Sequence, residues 1–211
     1  MSVILPGDRI AMFGAGGHAR SLADVVRRCG ARVELVVGAP TSHWDCDVVE
    51  SDDEGMGRAR RAGLTAVVGL GGNAGRLDLA RRLLSASIDL PALVASTATV
   101  ADPRALGPGA AILEHAHVGP GSTIGTAALL NTAAVVEHDC AVGDGAHVAP
   151  GAVLAGHVVC GARSMVGARA VVLVGLRMGN DCRVGAGATV TKDVETGDTV
   201  VGIPARVMET S

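Results

Sequence analysis

Residues 130–154 read LNTAAVVEHDCAVGDGAHVAPGAVL, with Leu130, Val136, Val142, Val148 and Leu154 spaced six apart. The spacing extends outward in both directions. From Val94 to Val190, through seventeen hexads, every sixth residue is Val, Leu, Ile, Met or Cys, without an insertion or deletion. Four residues after each of these, the side chain is Ala, Ser or Cys in thirteen of the seventeen. A period of six fits neither a helix face nor a half-buried strand. It predicts a parallel β-helix in which each hexad is one short strand and one corner. Three hexads would close a triangular coil, with successive coils about 4.8 Å apart.

Composition supports a narrow interior. Apolar residues make up 48% of the 211, yet there is one Phe, one Trp and no Tyr. The domain organisation expected is an α/β domain over 1–91, the β-helix over 92–195 and a C-terminal tail over 196–211. Charge is near balance, at −3 overall, and no basic face with stacking aromatics points to nucleic acid. The five cysteines show no C-x-x-C ligand spacing, and Cys140, Cys160 and Cys182 fall at inward repeat positions. That usage fits a reducing compartment. Pro6, Asp8 and Arg9 break the first thirteen residues, so no signal peptide is expected, and no apolar run is long enough for a bilayer. The expected location is cytoplasmic, without a membrane partner.

Ahead of the repeat, Arg9–Phe13 reads as a strand, followed by the turn Gly14-Ala15-Gly16-Gly17 and a helix from about His18 to Cys29. Val33–Val37 is a second strand, apolar on both faces as in a parallel sheet. After an irregular loop holding Trp44, Ser51-Asp52-Asp53-Glu54 has capping-box spacing and opens a helix ending at Gly63. Leu64–Val68 is a third strand, and a third helix follows with Leu77, Ala80, Leu83 and Leu84 inward. The result is a βαβαβα unit, a partial Rossmann-like fold too short for a complete dinucleotide-binding domain.

Gly14 to Ala19 matches G-x-G-x-x-A between a strand and a helix, where free N–H groups can cradle a phosphate. The acidic residue that would bind an NAD ribose is missing, since Val37-Gly38-Ala39-Pro40 ends the second strand. A nucleotide diphosphate or a bland tight turn both account for the motif. His18 would donate to the phosphate or to a sugar hydroxyl, and Gly71-Gly72-Asn73 would face the same crevice at the carboxyl end of the sheet.

Within the coil, Glu137-His138-Asp139 replaces the usual small residues at one corner. An exposed imidazole beside a carboxylate has what a general base needs, and the bland alternative is a solvated surface triplet. Eighteen residues on is one coil along, so Gly156 should lie beside His138 and His157 beside Asp139. A glycine there leaves an N–H approachable, as an oxyanion site requires. His147 points outward on a neighbouring side. His115, His117 and His157 read as surface histidines. No two histidines have the five-residue spacing of trimeric β-helix carbonic anhydrases, so no metal is expected. Six of the seven basic residues of the repeat domain follow Cys160, Lys192 and Arg206 among them, as phosphates of an anionic ligand would require.

Taken together, these motifs resemble the NeuD/PglD-type family of sugar O- and N-acetyltransferases. The carriers are Phe13-Gly14-Ala15-Gly16-Gly17-His18, then Asn131-Thr132 with Val135-Val136-Glu137-His138-Asp139-Cys140. Val184 to Val194 and Val201-Gly202-Ile203-Pro204-Ala205-Arg206 follow, both shared by many acetyl-CoA-dependent hexapeptide enzymes. The resemblance implies a left-handed coil, whereas the usual crossover rule would predict the opposite hand. It implies that His138 is the general base, that Asp139 orients it and that the Gly156 N–H meets the oxyanion. It implies that His147 contacts acetyl-CoA and that backbone near Ala168 and Ala186 lines the pantetheine channel. Gly16, Gly17 and His18 would hold the nucleotide part of the substrate, with Asn131 near the acceptor group. The family works as homotrimers with sites between neighbouring β-helices. Relatives that use UDP-sugars carry acidic residues after the second strand, and Val37-Gly38-Ala39-Pro40 departs from that pattern.

The expected activity is therefore transfer of acetyl from acetyl-CoA to the amino group of a nucleotide-linked amino sugar. The rivals are O-acetylation of a sugar such as sialic acid and a non-catalytic, trimerising β-helix. A nucleotidyltransferase does not fit, because the first domain is too small.

Overall fold

The hexads close into coils as their spacing requires. The computed structural model describes residues 2–208, and each hexad except that of Leu106, which makes a single bridge to Ile124, contributes a two-residue strand to one of three flat faces. Face I carries the strands that begin at Leu93, Ala111, Leu129, His147, Met165 and Arg183. Face II carries those at Thr99, His117, Val135, Val153, Val171 and Thr189, and face III those at Thr123, Ala141, Val159 and Arg177. Pairing is parallel with a step of eighteen residues, as in Leu129 to His147, Val135 to Val153 and Ala141 to Val159. The solenoid is a left-handed parallel β-helix.

The sixth-position residues and their small partners form one continuous core along the prism axis, with Cys140, Cys160 and Cys182 buried in it as free thiols. From Gly109 to Gly187, the third residue after each sixth-position residue turns the corner with left-handed backbone. Gly fills it at Gly121, Gly145 and Gly151, and Ala133, Asp139, His157 and Arg163 adopt φ of 56°, 59°, 62° and 57° there. This conformation is uncommon for non-glycine residues, but here it recurs coil after coil. The positive φ of Asp139 therefore belongs to the coil rather than to a strained site. The prism continues past Val190: Thr199–Val201 pairs parallel with Arg183–Val184, and Arg206–Val207 folds back antiparallel on it.

The first domain is a parallel sheet of β1 (Arg9–Phe13), β2 (Arg32–Val37), β3 (Asp47–Val49) and β4 (Thr65–Val68), in the order β3-β2-β1-β4. Helices α1 (Gly17–Arg28), α2 (Asp52–Ala62) and α3 (Asn73–Ser85) connect or follow the strands. Two features differ from expectation. Strand β3 lies within a stretch read as irregular, because three residues are too few to show a period. Leu84 is 40% exposed, and the buried face of α3 runs instead through Arg76, Leu77, Leu79, Ala80 and Leu83. Ser51 caps α2 as its spacing predicts, its hydroxyl accepting from the Glu54 N–H. Among the described residues, no helix is long and apolar enough to cross a membrane.

The turns after β1 and β4 touch. Gly14 has φ of 125°, and a Cβ there would stand 2.7 Å from the Gly69 carbonyl oxygen. Only glycine allows this approach, which sets the two carboxyl-edge loops side by side. The outward residues of face I, Leu93, Ala111 and Leu129, are buried against Leu22, Val25 and Val26 of α1. The α/β domain thus sits on the first coils of face I and leaves Met165 and Arg183 uncovered.

Candidate active site

Two groups of functional side chains emerge, on different corners of the prism. The first lies between faces II and III. His138 Nδ1 is 2.9 Å from Asp139 Oδ2. An ionised carboxylate only accepts, so Nδ1 carries a proton, and in the neutral ring Nε2 is then the nitrogen with the lone pair. The hydrogen bond from His138 is the main cause that holds the Asp139 carboxyl below its ordinary pKa. Nε2 faces Gly156 one coil along, where a Cβ would lie 2.5 Å from it. The Gly156 N–H has no protein acceptor among the described residues, whereas its neighbours Ala155 and His157 donate to Val172 and His138 carbonyls. A ring nitrogen and a backbone N–H with no protein acceptor among the described residues are thus neighbours, the two kinds of group that acyl transfer uses.

Stacking also delivers a residue read from sequence as mere surface. His157 Nε2 is 3.7 Å from Asp139 Oδ2, and its ring meets that of His138 edge-on at 5.1 Å between centroids. Ligand atoms of His138, Asp139 and His157 all lie within 4.8 Å of one another, a grouping that could hold a cation. A search for histidines five residues apart cannot find such a group, because the coil brings 138 and 157 together across a full turn. Glu137 is exposed beside the triad and makes no side-chain hydrogen bond among the described residues.

The second group lies where α1 meets face I. A cavity of about 790 Å³ is lined by Gly17, His18, Arg20, Arg28, Asn131 and Thr132, among others. No acidic residue occupies the first turn of α1, so its free N–H groups and positive end face the cavity unopposed. Cβ atoms built on Gly16 and Gly71 would meet nothing within 4 Å, so both glycines leave open space beside the turn. His18 Nε2 is buried without a hydrogen-bond partner, and burial is the main cause lowering its pKa. Asn131 Oδ1 accepts from the Thr132 N–H, which leaves Nδ2 to donate to His147 Nε2 at 3.2 Å. Burial, helped by Arg76 and His18, pushes His147 down to about 4, so the ring is neutral and can accept that bond.

The structure does not bring every expected residue to the crevice. The side chain of Asn73 is engaged elsewhere: Nδ2 donates to the Arg163 and Ser164 carbonyls, and Oδ1 accepts from Arg76. Ala168 and Ala186 stack above Thr132 on the corner between faces I and II, away from His138. Lys192 stacks on the His138 corner, in the row 138, 156, 174, 192. Between them Leu173 and Val174 are 42% and 65% exposed, an apolar track along that corner. Lys192 and Arg206 line one small cavity at the end of the coil.

No protein-family model matches the chain, and no curated protein does so either. Solved structures do. The acetyltransferase domain of PglB from Neisseria gonorrhoeae, in complex with acetyl coenzyme A, is 27% identical and superposes with a TM-score of 0.89, covering 96% of this chain and 100% of that one. A variant of GDP-perosamine N-acetyltransferase from Caulobacter crescentus, in complex with CoA and GDP-perosamine, is 32% identical with a TM-score of 0.89 over 100% of both chains. WeeI from Acinetobacter baumannii shares the fold at 21% identity and a TM-score of 0.71, covering 94% of this chain and 99% of that one. Coil, corner and comparisons define a hexapeptide-repeat acyltransferase. More narrowly, the chain belongs to the NeuD/PglD-type sugar acetyltransferases.

Proposed function

We propose that the protein transfers the acetyl group of acetyl-CoA to the amino group of a nucleotide-linked amino sugar, with His138 as general base. The observation that carries this reading is the close approach of His138 Nε2, with Asp139 hydrogen-bonded behind the ring, to Gly156, whose N–H has no protein acceptor among the described residues. His138 takes a proton from the amine as nitrogen attacks the thioester carbonyl. The Gly156 N–H donates to the oxyanion, and collapse breaks the C–S bond and expels the CoA thiolate, which takes the proton held by His138 and returns the base to its neutral form. No group on the protein needs to be acylated. The relatives in complex with acetyl-CoA and with GDP-perosamine support the donor and the substrate class.

Division of labour follows the two domains, with 1–91 holding the nucleotide sugar and 92–195 transferring the acetyl group. The sugar diphosphate binds over Gly16, Gly17 and His18 at the start of α1, with Gly71 on the adjoining turn. Pantetheine runs along the Leu173–Val174 track toward Lys192 and Arg206, which take the CoA phosphates. With five free thiols, the setting we assign is the cytoplasm.

Within one chain the His138 corner and the Asn131 corner are separated by the whole of face II, so one chain does not close the site. A homotrimer in which the His138 corner of one copy meets face I and its Ala168–Ala186 corner in the next would complete three equivalent sites, in keeping with cyclic symmetry. His147 and Asn131 would then reach acetyl-CoA and the acceptor. Light scattering is expected to report three chains of 21.0 kDa, and a monomer at micromolar concentration would overturn this assembly.

The activity is tested by offering acetyl-CoA with GDP-, UDP- and dTDP-linked amino sugars and following thiol release and the N-acetyl product. Transfer to at least one is expected, and no transfer to any would overturn the reading. Lys192→Ala is expected to raise the KM for acetyl-CoA with kcat nearly unchanged, the pattern of lost uniform binding. An unchanged KM would place the CoA phosphates elsewhere.

A further inference from the structure

Arg76, in the first turn of α3, is 2% exposed. Its guanidinium touches no carboxylate among the described residues. Nε donates to the Ala127 carbonyl at 2.8 Å, Nη1 to those of Gly71 at 3.0 Å and Leu70 at 3.3 Å. Nη2 donates to Asn73 Oδ1 at 2.9 Å and to the Gly145 and Ala146 carbonyls at 2.8 and 3.3 Å. Every acceptor is neutral. Burying a cation without a counter-charge is costly, and an apolar side chain would often stabilise such a site more. The charge and the five donors therefore call for a reason beyond packing.

Both properties bear on the crevice. The six acceptors come from the turn after β4 and from the corner between faces III and I, so one side chain joins the α/β domain to two coils. Asn73 extends the same latch to a third coil through Arg163 and Ser164. A Cβ on Gly145 would lie 3.0 Å from Leu77 Cβ, so the corner is shaped to receive α3. Arg76 Nη2 reaches the carbonyl of Ala146, the residue before His147, so a cation stands beside that ring; burial first, then Arg76 from α3 and His18 from α1, disfavours its protonation. Asn131 donates to His147 Nε2, a bond that only the unprotonated nitrogen accepts.

We infer that Arg76 is a positioning residue for acyl transfer: it holds the Leu70–Asn73 turn on the β-helix and sets a positive charge behind His147, so that His147 Nε2 remains the acceptor for Asn131. The inference rests on the reading of His147 and Asn131 as part of the transfer site.

Two substitutions separate the two roles. Arg76→Lys keeps the charge but has three donors on one atom, which cannot reach the turn and both coils together. Arg76→Met removes charge and donors. Histidine NMR titration of the full-length protein, with His147 assigned through His147→Gln, reads the charge. Wild-type His147 is expected to titrate near 4, far below the ordinary 6.5. Removing a nearby cation favours imidazolium, so the titration moves upward toward 6.5 in Arg76→Met and stays low in Arg76→Lys. Arg76→Lys is expected to raise the KM for the sugar nucleotide by about fivefold, the loss of a hydrogen bond, with kcat little changed.

A wild-type His147 that titrates near 6.5, or a folded Arg76→Met with His147 unmoved, would overturn the charge role. A wild-type KM in Arg76→Lys would overturn the latch. Should Arg76→Met fail to fold, the wild-type titration and the Lys variant still decide both. A wild-type protein that transfers no acetyl group, yet shows the expected His147 titration, would sink the enzymatic reading and leave the electrostatic role of Arg76 standing.

Discussion

His138→Ala is expected to lower kcat by about two to four orders of magnitude, the usual contribution of a positioned general base. The KM values for acetyl-CoA and for the sugar should change little, because the ring is half exposed and sits on a corner rather than in the core. Loss in kcat and in kcat/KM together is the mark of an interaction made in the transition state. Asp139→Asn should cost less. Its backbone is left-handed, φ 59°, a conformation asparagine tolerates well, so the substitution changes charge without straining the corner. The neutral amide still accepts from Nδ1 but no longer stabilises the imidazolium formed as the amine loses its proton. The Asp139 carboxyl, held below its ordinary range by the hydrogen bond from His138, is the ionised partner that favours this proton transfer. His138→Ala turning over at a near-wild-type rate with saturating substrates would reduce the Glu137-His138-Asp139 triplet to a solvated surface and end the catalytic reading.

What could be read from sequence was whatever the coil repeats. A step of eighteen residues is a ruler, so Gly156 beside His138 and His157 beside Asp139 follow from arithmetic alone. The importance of His157 did not follow, because adjacency by stacking does not show whether its ring turns toward the Asp139 carboxylate or out to solvent. The α/β domain has no ruler. A three-residue strand shows no period, so Asp47–Val49 was not visible. On α3, Leu77, Ala80 and Leu83 face inward as their spacing predicts and Leu84 does not, while Arg76, an arginine that reads as solvated, finds six carbonyl and amide oxygens at the interface. Asn73 was placed correctly at the carboxyl edge, but the second domain lies close enough there to engage its side chain, and nothing local to Asn73 shows that. Handedness was available only from the family resemblance, because the hexad fits either hand.

Gly156→Ala is expected to lower kcat by about two to three orders of magnitude while leaving thermal unfolding almost unmoved. The backbone at Gly156 lies outside the left-handed region, so alanine is conformationally permitted there. The conflict is steric and local: the new methyl would lie 2.5 Å from His138 Nε2 and 2.6 Å from Cε1. The imidazole is the far end of a half-exposed side chain, so it can swing away at little cost to the fold, and surface changes of this kind usually fall within about 0.5 kcal/mol. Swinging away separates the base from the N–H that meets the oxyanion, and the methyl also crowds that N–H. Losing one such donor costs about 10² to 10³ in rate. His138→Ala made in the Gly156→Ala background should then cost far less than His138→Ala alone, because the two groups act on one transition state. Melting curves, steady-state kinetics and this double variant together decide the matter. A folded Gly156→Ala enzyme within a few-fold of the wild-type kcat would show that the space between His138 Nε2 and the Gly156 N–H is not where the thioester carbonyl reacts.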